Sequence, residues 1–542
     1  MTAPEAPSRR PGTTDGGAVD ASEQIAKAGT YRSLGEQKLS PQEERFERAR
    51  RTLGLFLTPA VILIFLLLPL DLDPTQHKLA AVLLGVIVLW ITEAVPIPVG
   101  GLIGICLIVI LGVGNADDVL APFGSSTVFT FIGAFIIAQA MLRHGVARRF
   151  AFRMLAVRGV GKSTTRTVIA FGGITALLSA FVSNTATVAM LLPTAIAILG
   201  TLANLMRDQT GREGFDPLKL RVGVALMLML AYGASVGGLL TPVGSPPNLI
   251  GRGLIEEATG ERISFLEWVL TAVPICAAMF VVLAAVLLLL NRPEVRRLEG
   301  IEAYVAEQRA QMGPLSRKEK NTLVAFFTAV TLWIAPGVVG IIFGDESTAY
   351  EEATTHLDEG IVAILAASLL FLLPVSWPRR EFTLTWSEAK DIDWGTVILF
   401  GSGIIFGSLL ADTGLAETIG TSGADTFGVT STAAITIFAV VLAILISETT
   451  SNTASASIVV PIVIPVAAAA GVDPFVPALA ATFAASFGFM LPVSTPQNAI
   501  VYGSGVVPIT QMVRNGSVFD VLGAILILVG VPVMVGVLGI GG

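Results

Sequence analysis

SETTSNTASAS, residues 447–457, lies between AITIFAVVLAILI (434–446) and IVVPIVIPVAAAA (458–470). Hydroxyls, an amide and a carboxylate thus interrupt an apolar run that is too long for one membrane crossing. The run is either two full crossings or a re-entrant hairpin that enters and leaves by one face. In both cases irregular backbone at that depth survives only when it is buried in protein or lines a wet cavity.

The tripeptide recurs. FVSNTATVAMLLP (181–193) carries Ser183, and an offset of 268 takes it to Ser451 in TTSNTASASIVVP (449–461). At the same offset FIGAFIIAQAMLRHGVA (131–147) parallels LFGSGIIFGSLLADTGLA (399–416), matching Gly133 with Gly401 and Ile136-Ile137 with Ile404-Ile405. Further on, TPVGSPPNLI (241–250) is answered by LPVSTPQNAI (491–500). An ordered series of matches of this kind marks an internal repeat.

Hydrophobic residues make up 53% of the 542-residue chain and charged residues 14%, against about 25% charged in soluble domains. Runs such as 53–70 and 518–540 approach the roughly 20 residues that a helix needs to cross a hydrocarbon core. Continuous apolar stretches exclude a transmembrane β-barrel, whose segments alternate. Single spans are expected at 53–70, 78–93, 97–113, 127–142, 222–250, 265–291, 321–343, 358–377, 395–411, 476–505 and 518–540. The stretches 167–203 and 431–470 hold the two tripeptides. The fold class is therefore an all-α polytopic membrane protein, with about eleven transmembrane helices and two interrupted stretches in two repeats.

Loop charge orients the bundle, because Lys and Arg accumulate on the cytoplasmic side. The segment 143–167 has seven Lys/Arg and no acid, whereas 343–360 has neither Lys nor Arg. With the polar residues 1–50 as a cytoplasmic tail, the loops 291–320 and 377–382 fall inside and 343–360 outside; Arg252 and Arg262 are the basic residues of an outside loop. Each repeat then has five single crossings, an odd number, so the copies have inverted topology. Many secondary transporters are built this way, with the binding site at the midplane. No cleavable signal is expected, since no short apolar core with a small-residue site opens the chain. The domains follow as a tail (1–50), a first transmembrane helix (51–76), repeat 1 (77–291), a cytoplasmic linker (292–320) and repeat 2 (321–542).

The polar motifs break helices. Pro246 and Pro247 remove backbone donors, Gly244 permits unusual dihedrals, and Ser494, Thr495 and Pro496 repeat the device. A break leaves free carbonyls for a cation and free amides for an anion. Ser, Thr and Asn add neutral oxygens that suit a hard cation such as Na⁺ and offer no soft ligand to a transition metal. Isolated hydroxyls in membrane helices commonly bond their own i−4 carbonyl, but pairing at equivalent repeat positions argues for a site. Glu448 flanks only one tripeptide and is read as an orienting or gating carboxylate rather than a proton carrier. GVGKSTT (159–165) lacks the first glycine of a phosphate-binding loop. The three histidines and two cysteines form no catalytic or metal-binding set, so an enzyme is not expected and nucleic acid is not a partner. A channel would need a polar lining along several helices, and here polarity is confined to the breaks.

WITEAVPIPV (90–99), SNT (183–185), GSPPN (244–248), SNT (451–453) and STPQN (494–498) resemble, in that order, the divalent anion/sodium symporter (INDY-like) family. The resemblance covers about 78–540. It implies that the two long stretches are hairpins, one entering from inside and one from outside. It also implies two sodium sites, one at Ser179, Ser183, Asn184 and Gly244 and the other at Ser447, Ser451, Asn452 and Ser494. Substrate contacts then fall to Ser183, Asn184, Thr185 and Ser245, and to Ser451, Asn452, Thr453, Thr495 and Pro496. The implied activity is Na⁺-coupled symport of C4-dicarboxylates such as succinate, fumarate and malate, by an elevator motion of a homodimer in the cell membrane. Exchange, or sulfate or a tricarboxylate as substrate, is the alternative within the family. With no Lys or Arg in the motifs, bound cations must offset the dianion's charge, and a net positive charge in transit requires at least a third Na⁺.

Overall fold

The computed structural model describes residues 41–157, 159–160, 163–210, 220–294, 301–344, 346–420 and 431–541. Most of the expected tail, and residues 295–300 of the linker, lie outside this set. The apolar runs are helices. Large apolar side chains such as Phe56, Ile341, Ile342 and Val529 point outward, as a bundle solvated by lipid requires.

Among the described residues eleven helices are long and apolar enough to span a membrane. Their number equals the expected one but their membership differs. Arms of the two interrupted stretches are included, while Ile97–Ile110, the helix broken between Phe475–Ala484 and Pro496–Gly503, and the pair Thr348–His356 and Glu359–Leu372, bent by 52°, are not. The first helix starts at Pro41, ahead of its apolar part, inside the expected tail. The expected span 358–377 ends at Leu372, and Pro374–Ser376 pairs with Glu381–Phe382 in a small antiparallel hairpin.

The repeat is visible in element order. Ser126–Arg143 corresponds to Trp394–Asp412, Thr164–Ser179 to Thr432–Thr449, and Asn184–Thr210 to Asn452–Ala469, all starting 268 residues apart (394 − 126, 432 − 164, 452 − 184). A broken helix follows in each copy: Arg221–Gly238 with Pro246–Thr259, and Phe475–Ala484 with Pro496–Gly503. A long helix closes each copy, Phe265–Leu290 and Ile509–Leu538. Both interrupted stretches fold back on themselves, turning at 180–183 and 450–451.

Ion pairs sort the ends of the bundle. Arg143 meets Glu388 at 2.9 Å, Arg149 meets Glu319 at 2.6 Å and Lys318 meets Glu381 at 3.0 Å, which gathers the loops that charge counting puts inside. Ser126 bonds Asp358 at the other end. Arg252 is not in a loop, as expected from the sequence, but within Pro246–Thr259, buried and paired with Glu256 (2.8 Å) and Glu359 (2.7 Å). A charge at that depth is retained only because it is paired.

Arg221–Gly238 is the centre of the molecule, with every residue from Val222 to Gly238 buried. A helix apolar on all faces has no other stable place than inside protein or lipid. The first arm, Thr164–Ser179, packs on it backbone to backbone: a Cβ on Gly237 would collide with Ala176 O, and one on Gly233 would lie 3.1 Å from Gly172 O. Small residues are what allow such approach between membrane helices.

Candidate functional site

In the first copy the hairpin tip enters the break of the central helix. Ser179 Oγ donates to Asn184 Oδ1 at 2.5 Å, and both side chains are buried. Thr241 Oγ1 donates to Ala180 O, tying the break to the tip. Gly244 then faces three carbonyls: a Cβ built on it would lie 2.6 Å from Gly238 O, 2.9 Å from Ala180 O and 3.1 Å from Ser179 O. A Cβ on Gly238 would lie 2.5 Å from Asn184 Oδ1. Backbone oxygens and an amide oxygen thus converge on a space that only glycine leaves open.

The second copy reproduces the arrangement. Ser447 Oγ bonds Asn452 Oδ1 and Ala485 O, each at 2.8 Å, and Asn452 Nδ2 donates to Ser486 O at 3.3 Å. Gly488 takes the part of Gly238: its Cβ would lie 3.2 Å from both Asn452 Oδ1 and Ser447 Oγ, and 3.0 Å from Ser494 Cβ. Ser494 is buried and donates to Glu448 O at 2.9 Å and to Glu448 Oε2 at 2.8 Å. Glu448 Oε1 accepts from the amides of Phe489 and Met490 at 2.6 and 2.7 Å. This carboxylate therefore holds the second break in shape, consistent with the orienting role read from sequence.

Helices begin at both tripeptides and both breaks. Ser451 and Thr495 cap theirs, accepting from Ala454 N (3.2 Å) and Asn498 N (3.3 Å), and Ser183 accepts from Ala186 N at 3.3 Å. Pro246 and Pro496 occupy first helical positions, where a missing N–H costs nothing. First-turn amides remain for an anion at Asn184 and Thr185, at Asn452 and Thr453 and at Gln497, whereas Pro246 and Pro247 carry none and Asn248 N donates to Ser245 O at 3.1 Å. Ser183 and Pro496 are exposed, and Thr185, Ser451 and Thr453 are half-buried; Ser245 and Thr495 are buried.

The two copies interlock. Pro246–Thr259 packs against Asn452–Ala469, and Pro496–Gly503 against Asn184–Thr210 and the central helix. Gln497, buried at the second helical position, crosses from one copy to the other and donates to Ser235 Oγ at 2.9 Å. A separate cavity of about 460 Å³, lined by Asp73, Asp118, Asp412 and others, contains none of the motif residues. Its acidic rim repels anions.

Two asparagines that sequence reasoning did not single out complete the site. Asn248 Nδ2 spans Gly238 O (2.7 Å) and Thr241 O (2.8 Å), and Asn498 Nδ2 spans Gly488 O (2.8 Å) and Leu491 O (3.1 Å). Each therefore fastens the two sides of its break. The signal was present, since both motifs end in Asn. Asn498→Leu leaves the buried Gly488 O without a donor and Leu491 O with Ser494 N alone, at about 1–3 kcal/mol for the group left unsatisfied. The expected outcome is a lower melting temperature of purified protein, whereas the exposed Asp473→Asn leaves it unchanged.

Residues 49–539 match the family model described as sodium:sulfate symporter transmembrane region. The chain is 32% identical over 498 residues to a sodium-dependent dicarboxylate transporter, SdcS, of Staphylococcus saprophyticus, covering 91% of this chain and 93% of that protein. It is also 32% identical over 500 residues to SdcS of Staphylococcus aureus, covering 90% and 93%. Among solved structures it superposes on the Alcanivorax borkumensis YdaH transporter with a TM-score of 0.49 at 15% identity, over 92% of this chain and 98% of that one.

Proposed function

The chain belongs to the sodium:sulfate symporter family, and from that premise we propose that it is a sodium-coupled symporter of C4-dicarboxylates in the cell membrane. It is a membrane transporter and not an enzyme. Relatives that share about a third of its residues are named as sodium-dependent dicarboxylate transporters, which favours this reading over sulfate or tricarboxylate transport.

The observation that carries the proposal is the pair of neutral oxygen cradles, at Gly238/Gly244 with Ser179 and Asn184, and at Gly488 with Ser447 and Asn452. Their hard donors fit an alkali cation. Sodium would be held by Ser179, Ser183, Asn184 and Gly244 in one copy and by Ser447, Ser451, Asn452 and Ser494 in the other. The dianion would lie between them, touching Thr185, Thr453, Ser245, Thr495 and Pro496 as well as the two SNT tripeptides. None of these residues is basic, and Arg252 is already committed to two carboxylates. The bound cations and the four helix N-termini would therefore supply the positive potential that holds the substrate.

The hairpins, the broken helices and the two closing helices pack on one another, which supports one body that carries the site past the remaining helices as an elevator, in a homodimer. Gly420 abuts Pro465 beside the base of the second hairpin, at the opposite end of Trp394–Asp412 from the ion-paired Glu388. That contact supports inverted repeats with hairpins entering from opposite faces, an N-terminus in the cytoplasm and a C-terminus outside. In proteoliposomes, radiolabelled succinate uptake is expected with an inward Na⁺ gradient and not with choline, and unlabelled fumarate and malate compete while sulfate and citrate do not. Uptake at equal rates without sodium would refute coupling and favour an exchanger.

A further inference from the structure

Asp520 is a carboxylate that the proposed sites do not use. It lies in the closing helix Ile509–Leu538, is 4% exposed, and neither of its oxygens accepts from a backbone, hydroxyl, amide or basic donor; the group it meets is the Glu448 carboxylate. An ionised carboxylate left alone at that depth is costly.

Its surroundings are fixed by the second break. Four residues earlier on the same helix, a Cβ on Gly516 would collide with Phe489 O; three residues later, one on Gly523 would collide with the Phe487 ring. Asp520 is therefore aimed at segment 487–490, and the Glu448 carboxylate lies there within side-chain reach of it. Glu448 is pinned from its other sides by Phe489 N, Met490 N and Ser494 Oγ. These three donors leave part of its acceptor capacity unused. Tyr232, the remaining titratable neighbour of both acids, donates its hydroxyl to Phe489 O at 2.6 Å. Glu448 is the charged group that acts on Asp520, and no Lys, Arg or His among the described residues does so.

Two facing carboxylates with no basic partner repel unless they share a proton or a cation lies between them. A proton shared with Glu448 would satisfy one Asp520 oxygen, whereas an alkali ion satisfies both at once. We infer that Asp520 and Glu448 form a third sodium site, one layer behind the second cradle and joined to it through Ser494 and the Phe489–Met490 amides. The inference rests on the sodium-coupled reading above and adds its charge count. Two sodium ions neutralise a dianion, and the third binds to the two carboxylates that return empty, so each cycle moves one net positive charge inward and an inside-negative potential drives uptake.

The test uses purified full-length protein in proteoliposomes, with radiolabelled sodium and succinate measured together and a potassium/valinomycin potential imposed. Wild type is expected to be accelerated by an inside-negative potential. Asp520→Asn is expected to keep sodium-dependent uptake, lose the response to potential, and carry about one sodium fewer per dianion. Asp520→Glu, which keeps the charge, is expected to behave as wild type. A wild-type flux ratio and potential response in Asp520→Asn would overturn the inference, as would an extra charge carried by protons. If neither variant is active, wild type decides: electroneutral, sodium-dependent uptake overturns the third site and leaves the symport reading standing. Loss of all sodium dependence in wild type would instead sink the symport reading.

Discussion

Alanine in place of Asn452, and equally of Asn184, is expected to lower sodium-driven dicarboxylate uptake by about a hundredfold or more. Each amide sits at the start of a helix with its Oδ1 against a serine hydroxyl, Ser447 or Ser179, and beside the cradle glycine. At the proposed site, truncation would remove a cation ligand and a donor to the substrate in one step. A hydrogen bond to a charged group contributes about 1.5–3 kcal/mol, and each 1.4 kcal/mol is roughly tenfold in affinity. Two such losses, on ion and on dianion, multiply because the two bind together. Uptake rates should be compared at equal reconstituted protein, with size-exclusion profiles showing the variants intact. Wild-type rates in both variants would remove these residues from the site.

Gly244→Ala is expected to have the second largest effect. Its methyl would lie between 2.6 and 3.1 Å from the carbonyl oxygens of Gly238, Ala180 and Ser179, closer than carbon and oxygen pack. Backbone carbonyls cannot rotate aside as a side chain can, so the cradle must widen or fill. The sodium concentration for half-maximal uptake should rise about tenfold or more, as the loss of about 1.4 kcal/mol implies. Gly403→Ala is the control, because a Cβ there meets nothing within 4 Å, and its sodium dependence should be unchanged. An unaltered sodium curve in Gly244→Ala would show that the three carbonyls do not form the ion site.

The tripeptides at 183 and 451 were legible because a repeat cannot place the same uncharged polar set twice in lipid without a shared reason. The equivalence holds in space: Ser179–Asn184 and Ser447–Asn452 make the same hydrogen bond. Asn248 and Asn498 went unremarked because their task, clamping two carbonyls across a break, leaves no periodicity or charge to notice. Gly238 and Gly488 were hidden for the same reason, since only the folded backbone shows which glycine faces an amide oxygen. Hydropathy does not distinguish a hairpin from two crossings, as both require the same apolar length; the fold adds that each stretch turns back tightly, at 180–183 and 450–451. Arg252 was misplaced because Glu359, its partner, lies 107 residues away. The Asp520–Glu448 pair escaped likewise, with the two acids on separate helices brought together by the second break.

The central claim is that an uncharged pair of cradles attracts a doubly negative solute only after sodium has bound. Calorimetric titration of succinate into purified protein tests it most directly, in sodium chloride and in choline chloride of equal ionic strength. The account predicts saturable binding in sodium, tightening as sodium rises, and none in choline. Equal affinity in both salts would contradict it.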